Sequence, residues 1–397
     1  MDDLLFLAHR IPYPPNKGDK IRSWHILQHL AERYRVHLGC FVDHADDWRH
    51  TGVLRDLCAS AHFAPLPTLK ARARSLLGLA RGEALSVACY RDAGLGAWVR
   101  RTVTASRPAA AFLYSSQTGL YLDSLAGIRT VMDFVDVDSD KWAQYAEARS
   151  GPLRWLYRRE ACTLAAFEAR VAAQVDACVL VSEPEAALFR RLVPPAAHKT
   201  FAVTNSVDTA RFSPARDYPD PFPAGTQAVV FTGAMDYWPN ADAVSWFARE
   251  VLPAVRAAVP EAVFYVVGFS PAPEVRQLAA LPGVVVTGAV DDTRDYLAHA
   301  ACVVAPLRVA RGVQNKVLEA MAMARPVVVS SQAAQGLTGV APGELAVADG
   351  APAMAAAVMA VLQGAPGGPD GAAARRRVTE SYGWAASFAA LDRVLEG

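Results

Sequence analysis

Hydrophobic positions follow two alternating patterns from one end of the chain to the other. Short apolar runs rich in β-branched residues are followed by longer stretches in which apolar residues recur at helical spacing. This alternation predicts repeated strand–helix units, and therefore parallel sheets in an α/β fold. The predicted strands are DLLFLAH, RVHLGCFV, AAFLYSS, RTVMDFV and ACVLVS in the first half, and AVVFTG, AVFYVVG, GVVVTGA, ACVVAPL and RPVVVSS in the second.

A segment rich in proline and aspartate separates the two sets of strands. Residues 205–227, NSVDTARFSPARDYPDPFPAGTQ, cannot continue a strand or a long helix, and they are predicted to link two domains. Each half is then a Rossmann-like, doubly wound domain that binds ligands at the carboxyl ends of its strands. We expect an N-terminal domain at 1–205 and a C-terminal domain at 206–380.

The last residues, 381–397, are predicted to form a separate helix. Trp384, Phe388 and Leu391 are spaced for one helical face. That face is expected to pack outside the second sheet or to cross back to the first domain.

Composition excludes several classes of protein. The formal net charge of +1 gives no broad attraction for nucleic acid. The six cysteines are scattered and contain no C-x-x-C pair, which argues against a disulfide framework and a zinc site. No apolar run reaches the ~18 residues that span a bilayer, and the N-terminus lacks a signal-peptide core. A cytoplasmic location is expected.

The segment 69–85, LKARARSLLGLARGEAL, interleaves leucines with basic residues. It predicts a basic amphipathic helix, a type that rests on anionic lipid headgroups. An ordinary solvated helix face fits the same pattern. The first interpretation would place the protein at the inner face of the cytoplasmic membrane.

Candidate chemistry lies where ACVVAPL, a predicted strand, leads through a loop into the predicted helix NKVLEAMAMA. The free N–H groups at the start of this helix, those of Val313, Gln314 and Asn315, form an anion site. Gly312 would let the backbone approach a phosphate closely.

Two charged side chains on this otherwise apolar helix, Lys316 and Glu319, need an explanation. Lys316 and Arg308 would add positive charge beside a phosphate, and Glu319 would accept hydrogen bonds from vicinal hydroxyls. Together they describe a nucleoside diphosphate with its ribose. A plain surface ion pair between Lys316 and Glu319 is the alternative.

At this point the sequence resembles a known family over nearly its whole length. KVLEAMAMARPVV is similar to the donor-binding helix of retaining GT-B glycosyltransferases of the family-4 type, and VTNSVDTARFSP resembles their interdomain strand. PYPPNKGDKIRSWHIL and DFVDVDSDKWAQYA resemble a bacterial subgroup associated with exopolysaccharide and exosortase (PEP-CTERM) gene clusters. The resemblance implies two Rossmann-like domains that face a central cleft.

The resemblance also implies an activity. A sugar would pass, with retention of configuration, from a nucleotide-diphosphate sugar to a saccharide or lipid-linked saccharide in exopolysaccharide or cell-surface glycan synthesis. The donor would be a UDP- or GDP-sugar, and no cofactor or metal is expected. Two rival functions stay open, namely a sugar-nucleotide epimerase of GT-B fold and a non-catalytic sugar-nucleotide-binding scaffold of a polysaccharide-assembly complex.

The site residues follow from both arguments. Gly18 and Gly233 would let the backbone approach the donor phosphates, and Glu319 would hold the ribose. Lys316 and Arg308 would neutralise the diphosphate during transfer. An acceptor-side histidine of the family is missing here, which leaves three aspartates: Asp136, assigned to catalysis, and Asp133 and Asp138, assigned to the acceptor.

Two further departures from the family bear on the donor site. Arg311 stands where the family has the first glutamate of its Glu-x7-Glu motif, and we assign it to donor binding. The stretch GAMDYWPN lacks the family's arginine and lysine. Within it, Tyr237 and Trp238 are predicted either to stack on a sugar or base or to cover the wall of the cleft.

Overall fold

The computed structural model describes residues 1–15, 18–66, 75, 78–147, 149–310 and 312–397. Arg311 and, within the basic segment 69–85, residues 69–74 and 76–77 therefore lie outside the described residues. The chain divides into two compact units. The first contains Met1–Thr204 and Phe388–Gly397, and the second contains Asn205–Ser387.

The first unit is built on a seven-stranded sheet in which every pairing is parallel. Its strands follow the order β3-β2-β1-β4-β5-β6-β7. They are β1 (Asp3–Ala8), β2 (Arg35–Val42), β3 (Ser60–Pro65), β4 (Ala110–Tyr114), β5 (Arg129–Val135), β6 (Ala177–Leu180) and β7 (Thr200–Ala202). Its helices include Gly18–Arg33, Thr51–Leu57, Leu85–Ala88, Ala93–Ser106, Asp138–Glu147, Gly151–Gln174 and Glu183–Leu192.

Helices cover both faces of this sheet, because successive side chains of a strand point to opposite sides. In β1, Leu4, Phe6 and Ala8 belong to one hydrophobic cluster. Leu5 and Leu7 belong to the other. The five strands predicted in this half are all present.

The second unit has a six-stranded sheet, again with every pairing parallel, in the order β10-β9-β8-β11-β12-β13. Its strands are β8 (Gln227–Thr232), β9 (Ala262–Val267), β10 (Val284–Gly288), β11 (Cys302–Ala305), β12 (Val327–Val329) and β13 (Ala346–Val347). Its α-helices are Trp238–Trp246, Leu252–Ala258, Pro273–Arg276, Thr293–His299, Asn315–Ala322, Ser331–Ala334, Ala351–Leu362 and Gly371–Ser381, and a π-helical turn, Phe247–Val251, joins the first two.

Residues 205–226, predicted as a linker, hold no named helix or strand and belong to the second unit. The guanidinium of Arg375 donates to the carbonyl oxygens of Phe212 (2.9 Å) and Thr209 (3.3 Å). Val207 forms a β-bridge with Gly383. The segment is therefore fastened to the second unit along much of its length.

The last helix, Trp384–Glu396, begins in the second unit, and its residues from Phe388 onward belong to the first. Phe388 stacks on His29 with ring centroids 4.1 Å apart. His29 also lies 2.9 Å from Asp392, and Arg129 donates to the carbonyl oxygen of Leu395 at 2.7 Å. Among the described helices, none is both long and apolar enough to cross a lipid bilayer.

Candidate functional site

The second sheet has one point at which the direction of winding changes. From β8 the chain continues outward through β9 and β10, and it then returns to place β11 on the other side of β8. In open parallel sheets a crevice forms at such a point, outside the carboxyl ends of the two central strands. Gly233 follows β8, and the loop that contains Arg308 and Gly312 follows β11.

Lys316 is held at this edge by a side chain that the sequence analysis did not identify. Its Nζ donates to Oδ1 of Asn240 at 2.6 Å and lies 4.4 Å from the ring centroid of Phe231. Asn240 is itself fixed, because its Nδ2 donates to the carbonyl oxygen of Ala234 at 2.9 Å. An ammonium over an aromatic face is stabilised by the ring quadrupole, so the position of Lys316 is well defined.

Gly233 lies directly against this pair. A Cβ placed on Gly233 would come 2.7 Å from Nδ2 of Asn240 and 3.4 Å from Nζ of Lys316. On the other side, a Cβ on Gly268 would lie 1.7 Å from the carbonyl oxygen of Gly233. The backbone after β8 therefore approaches its neighbours as closely as only glycine permits, and two residues predicted from separate motifs, Gly233 and Lys316, come together.

Burial changes the ionisation of Lys316 and Glu319. Desolvation lowers the pKa of Lys316 to about 7, and the nearby Glu319 carboxylate opposes that shift. Desolvation raises the pKa of Glu319 to about 7, against the fields of Lys316 and Arg211. Because both groups titrate near neutral pH and interact with each other, a charged ligand that binds beside them changes the protonation state of both.

Arg308, predicted to share the diphosphate with Lys316, is engaged elsewhere. Its guanidinium forms a two-point ion pair with Asp242, with Nε 2.9 Å from Oδ2 and Nη2 in contact with Oδ1. The hydrogen bond to Asp242 raises the pKa of Arg308 further. An anion at this edge would have to draw Arg308 away from Asp242 or share it.

The loop between β11 and the helix Asn315–Ala322 is shaped by two glycines. Gly312 has a φ of 59°, in the left-handed region that favours glycine. A Cβ on Gly336 would lie 2.1 Å from the carbonyl oxygen of Gly312 and 2.7 Å from the nitrogen of Val313. Gln314 occupies the N-cap position, with no hydrogen bond from its side chain to the helix N-terminus. The side chain of Gln314 therefore does not cap the N-terminus of this helix.

Two buried polar atoms at the same edge have no hydrogen-bond partner among the described residues. One is Oγ1 of Thr232, a residue that ends β8 and is only 4% exposed. The other is Oδ1 of Asn315, the first residue of the helix. Buried polar atoms are almost always paired in folded proteins, so orphans of this kind indicate a place for a ligand or a water.

Tyr237 and Trp238 lie between Gly233 and Asn240 along the chain and are 48% and 44% exposed. Large aromatic side chains this exposed next to a crevice are suited to stacking on a planar or apolar ligand surface. The alternative, a cover for the wall, is compatible with the same exposure.

The three predicted aspartates, Asp136 for catalysis and Asp133 and Asp138 for the acceptor, lie at or just after the carboxyl end of β5 in the first unit, in different environments. Asp133 is fully buried, and its Oδ2 accepts a hydrogen bond from Nε of Arg22 at 2.8 Å. Burial raises the pKa of Asp133, and Arg22 opposes that shift. Asp136 and Asp138 are half-buried, and Asp138 lies 3.7 Å from Lys141. Asp133 is therefore occupied in a structural ion pair, whereas the other two reach the surface.

Gly18 is exposed and is the first residue of the helix Gly18–Arg33 in the first unit. Val135, just before Asp136, has a φ of 70°, which is rare for a β-branched residue.

The residues that sequence reasoning missed share one stretch. Asn240 and Asp242 lie on the helix Trp238–Trp246. Asn240 is the last residue of GAMDYWPN, the stretch that lacks the family's arginine and lysine, and Asp242 lies two residues beyond it. Their partners, Lys316 and Arg308, follow about 70 residues later. Polar residues directly after a central strand were the available signal, but their pairing depends on the fold.

Comparison with known proteins bears on the second unit and on the fold. Residues 226–364 match the family model "Glycosyl transferases group 1". No curated protein matches the chain. The chain is similar to sucrose-phosphate synthase from Thermosynechococcus elongatus, with a TM-score of 0.70, 15% identity and coverage of 99% of this chain and 98% of that one.

Two other solved structures have the same fold. Anabaena HepE in complex with UDP gives a TM-score of 0.70 at 13% identity, with both chains covered completely. WaaG, a glycosyltransferase involved in lipopolysaccharide biosynthesis, gives 0.68 at 14% identity, with 99% of this chain and 100% of that chain covered. The two parallel-sheet units are those of the GT-B architecture. With a group 1 glycosyltransferase domain at residues 226–364 of a chain that has this architecture, the protein is a glycosyltransferase.

Proposed function

We propose that the protein transfers a sugar from a nucleotide-diphosphate sugar, with UDP or GDP as the nucleotide, to a saccharide or lipid-linked saccharide. The observation that carries this proposal is the fixed ammonium of Lys316. It lies 2.6 Å from Asn240 and against Gly233, at the winding change of the second sheet. Support for the nucleotide comes from HepE, which shares the fold and whose structure holds UDP.

In this proposal the diphosphate binds at the N-terminus of the helix Asn315–Ala322. The N–H groups of Val313, Gln314 and Asn315 at the start of this helix would face the anion, and the dipole of the helix adds positive potential. Lys316 supplies a formal charge at Gly233. The unpaired Oγ1 of Thr232 and Oδ1 of Asn315 would find hydrogen-bond partners in the ligand or in waters around it. Glu319, one turn further along, accepts the ribose hydroxyls. We assign Arg311 and Gly18 to the phosphates on the resemblance alone.

The chemistry expected of this site is stabilisation of a leaving group. Charge develops on the nucleoside diphosphate as the sugar–phosphate bond breaks, and cations fixed in advance lower the free energy of that transition state. An arriving diphosphate raises the pKa of Lys316 from about 7 and so keeps it charged. Arg308 contributes when its ion pair with Asp242 opens.

The acceptor side of the proposal rests on the carboxyl edge of the first sheet. Val135 adopts its left-handed conformation immediately before Asp136, and such strain persists where a structure holds a residue in place for function. We therefore assign Asp136 to catalysis and Asp138 to acceptor hydroxyls. Asp133 would act through Arg22, as a residue that positions this edge. Retention of configuration and a role in exopolysaccharide or cell-surface glycan synthesis complete the proposal on the resemblance alone.

A cytoplasmic location with contact to the membrane through residues 69–85 also belongs to this proposal. Residues 67–74 and 76–77 lie outside the described part of the chain, so the membrane contact through this segment stays a prediction.

Transfer from labelled UDP- and GDP-sugars to saccharide acceptors tests the proposal. We expect Lys316→Ala and Glu319→Ala each to reduce transfer at least tenfold, since losing one interaction with a charged transition state raises the barrier by about 1.4 kcal/mol or more. Glu274→Ala, which removes an exposed glutamate of the same unit, is the control and should leave transfer unchanged.

Three results would contradict the proposal. Full transfer activity in both variants would mean that the donor does not bind at Lys316 and Glu319. Isomerisation of the donor when it is incubated alone would indicate an epimerase, and binding without turnover would indicate a scaffold.

A further inference from the structure

One end of the first unit carries exposed apolar and basic side chains together. In the helix Gly151–Gln174, Leu153 is 51% exposed and Trp155 is 63% exposed. The first ten positions from Ser150 to Arg159 contain Arg154, Arg158 and Arg159 but no acidic residue. Large apolar side chains at such exposure normally meet a partner when they cluster.

A second segment extends this surface. Nη2 of Arg159 donates to the carbonyl oxygens of Leu79 (3.3 Å) and Glu83 (3.0 Å). The carboxylate of Glu160 accepts from the backbone nitrogens of Leu85 and Ser86, each at 2.8 Å. Residues 79–86 are therefore fastened to the third turn of the helix.

The exposed residues border that junction. Trp155 lies one turn before Arg159 on the same helical face, and Arg159 is the residue that contacts the backbone of Leu79. Leu79 is itself 37% exposed, and Arg81 is exposed. We call this set the basic–apolar surface; it consists of Leu79, Arg81, Leu153, Arg154, Trp155 and Arg158.

The residue types on this surface indicate what kind of partner it binds. Tryptophan and leucine favour the boundary between lipid headgroups and acyl chains, and arginines beside them bind lipid phosphates. The charges in the first ten positions, from Ser150 to Arg159, are all basic, which matches the negative surface potential of an anionic leaflet. We propose that the basic–apolar surface docks on an anionic phospholipid membrane. All of its residues belong to the first unit, and the proposal is independent of the donor site.

Sedimentation with phospholipid vesicles tests the proposal on the full chain. We expect the wild type to bind phosphatidylglycerol-containing vesicles far more tightly than pure phosphatidylcholine vesicles, and to lose affinity as salt is raised. Leu153→Ser with Trp155→Ser should weaken binding at least tenfold. Each of Arg154→Gln and Arg158→Gln should weaken binding to the anionic vesicles by about fivefold.

Leu192→Ser is the matched control. Leu192 is 50% exposed at the end of the helix Glu183–Leu192, so its loss removes similar apolar area elsewhere in the same unit. Its binding should equal that of the wild type, and unchanged melting temperatures confirm that all variants fold.

Three outcomes would overturn the proposal. They are equal binding to both kinds of vesicle, wild-type binding by the Leu153 and Trp155 double variant, and self-association of the wild type that this double variant abolishes. The last result would make the surface an interface between copies of the chain.

Discussion

Asn240 joins two parts of the candidate donor site through a single amide group. Its nitrogen donates to the backbone just after β8, and its oxygen accepts from Lys316 on the helix Asn315–Ala322. A neutral acceptor holds the lysine in place without countering its charge, so the ammonium form can pair with an anion. A carboxylate at position 240 would fix the same geometry but would compete with the anion.

This difference predicts a shift in pH dependence. The pKa of Lys316 is lowered to about 7, so UDP affinity should fall as the pH rises from 7 toward 9 and the lysine loses its proton. In Asn240→Asp the new carboxylate favours the charged lysine and raises its pKa. The alkaline fall should therefore move up by at least about one pH unit, while affinity at pH 7 decreases. Titration calorimetry across this range measures both effects.

Lys316→Met is the reference for this experiment, and its UDP affinity should not fall as the pH rises from 7 toward 9. An identical pH dependence in all three proteins would mean that Lys316 does not contact the diphosphate.

At the scale of the element, the loop before the helix Asn315–Ala322 is held in shape from outside. The turn after β12 passes so close that Gly336 lies against the backbone of Gly312 and Val313. The direction of the N–H groups at the start of this helix thus depends on Gly336, which belongs to another loop.

Gly336→Ala should displace this loop. Its methyl group would lie 2.1 Å from the carbonyl oxygen of Gly312, a contact that the backbone must relieve by moving. We expect UDP affinity to fall at least tenfold, because the N–H groups no longer converge on the anion. Gly52→Ala, whose added methyl would meet no atom within 4 Å, is the matched control. Unchanged affinity in Gly336→Ala would show that the loop is not part of the site.

A second element-scale prediction concerns two helices of the first unit. Glu168 on the helix Gly151–Gln174 is 2% exposed and accepts a 2.5 Å hydrogen bond from the hydroxyl of Ser139, on the helix Asp138–Glu147. Burial raises the pKa of Glu168 to about 8. The folded state then binds a proton that the unfolded state releases above pH ~4.5, so this group makes the free energy of unfolding decrease as the pH rises from there to about 8.

Glu168→Gln should remove that decrease, because glutamine keeps the hydrogen bond and does not titrate. Denaturant unfolding at pH 5 and pH 8 measures the slope of the free energy of unfolding against pH. Glu147→Gln, an exposed change on the neighbouring helix, should keep the wild-type slope. The assignment fails if Glu168→Gln keeps it too.

At the scale of the whole molecule, both sheets have central strands whose order reverses once, and this could be predicted from alternating strand and helix patterns. The strands that sequence missed, β3, β7 and β13, are edge strands; β3 reads SAHFAP, and the other two have only three and two residues. Edge strands are half-covered and therefore lack the long apolar run that marks a central strand.

The candidate site could be predicted in part for the same reason. Gly233, Lys316 and Glu319 follow central strands, and local patterns place them at the carboxyl edge. The contacts of Lys316 with Asn240 and of Arg308 with Asp242 join positions 76 and 66 residues apart. No local pattern encodes such pairs, because they depend on how β8 and β11 lie side by side.

The central claim is that a nucleoside diphosphate binds beside Lys316 and Glu319. The most direct test is the melting temperature of the wild type, Lys316→Ala and Glu319→Ala against UDP, GDP and their sugar derivatives. A ligand at 100 times its dissociation constant adds about 2.7 kcal/mol to the free energy of unfolding. We predict that one nucleotide family clearly raises the melting temperature of the wild type and raises that of the variants little or not at all. An equal increase in all three proteins, or none in the wild type with any nucleotide, would contradict the claim.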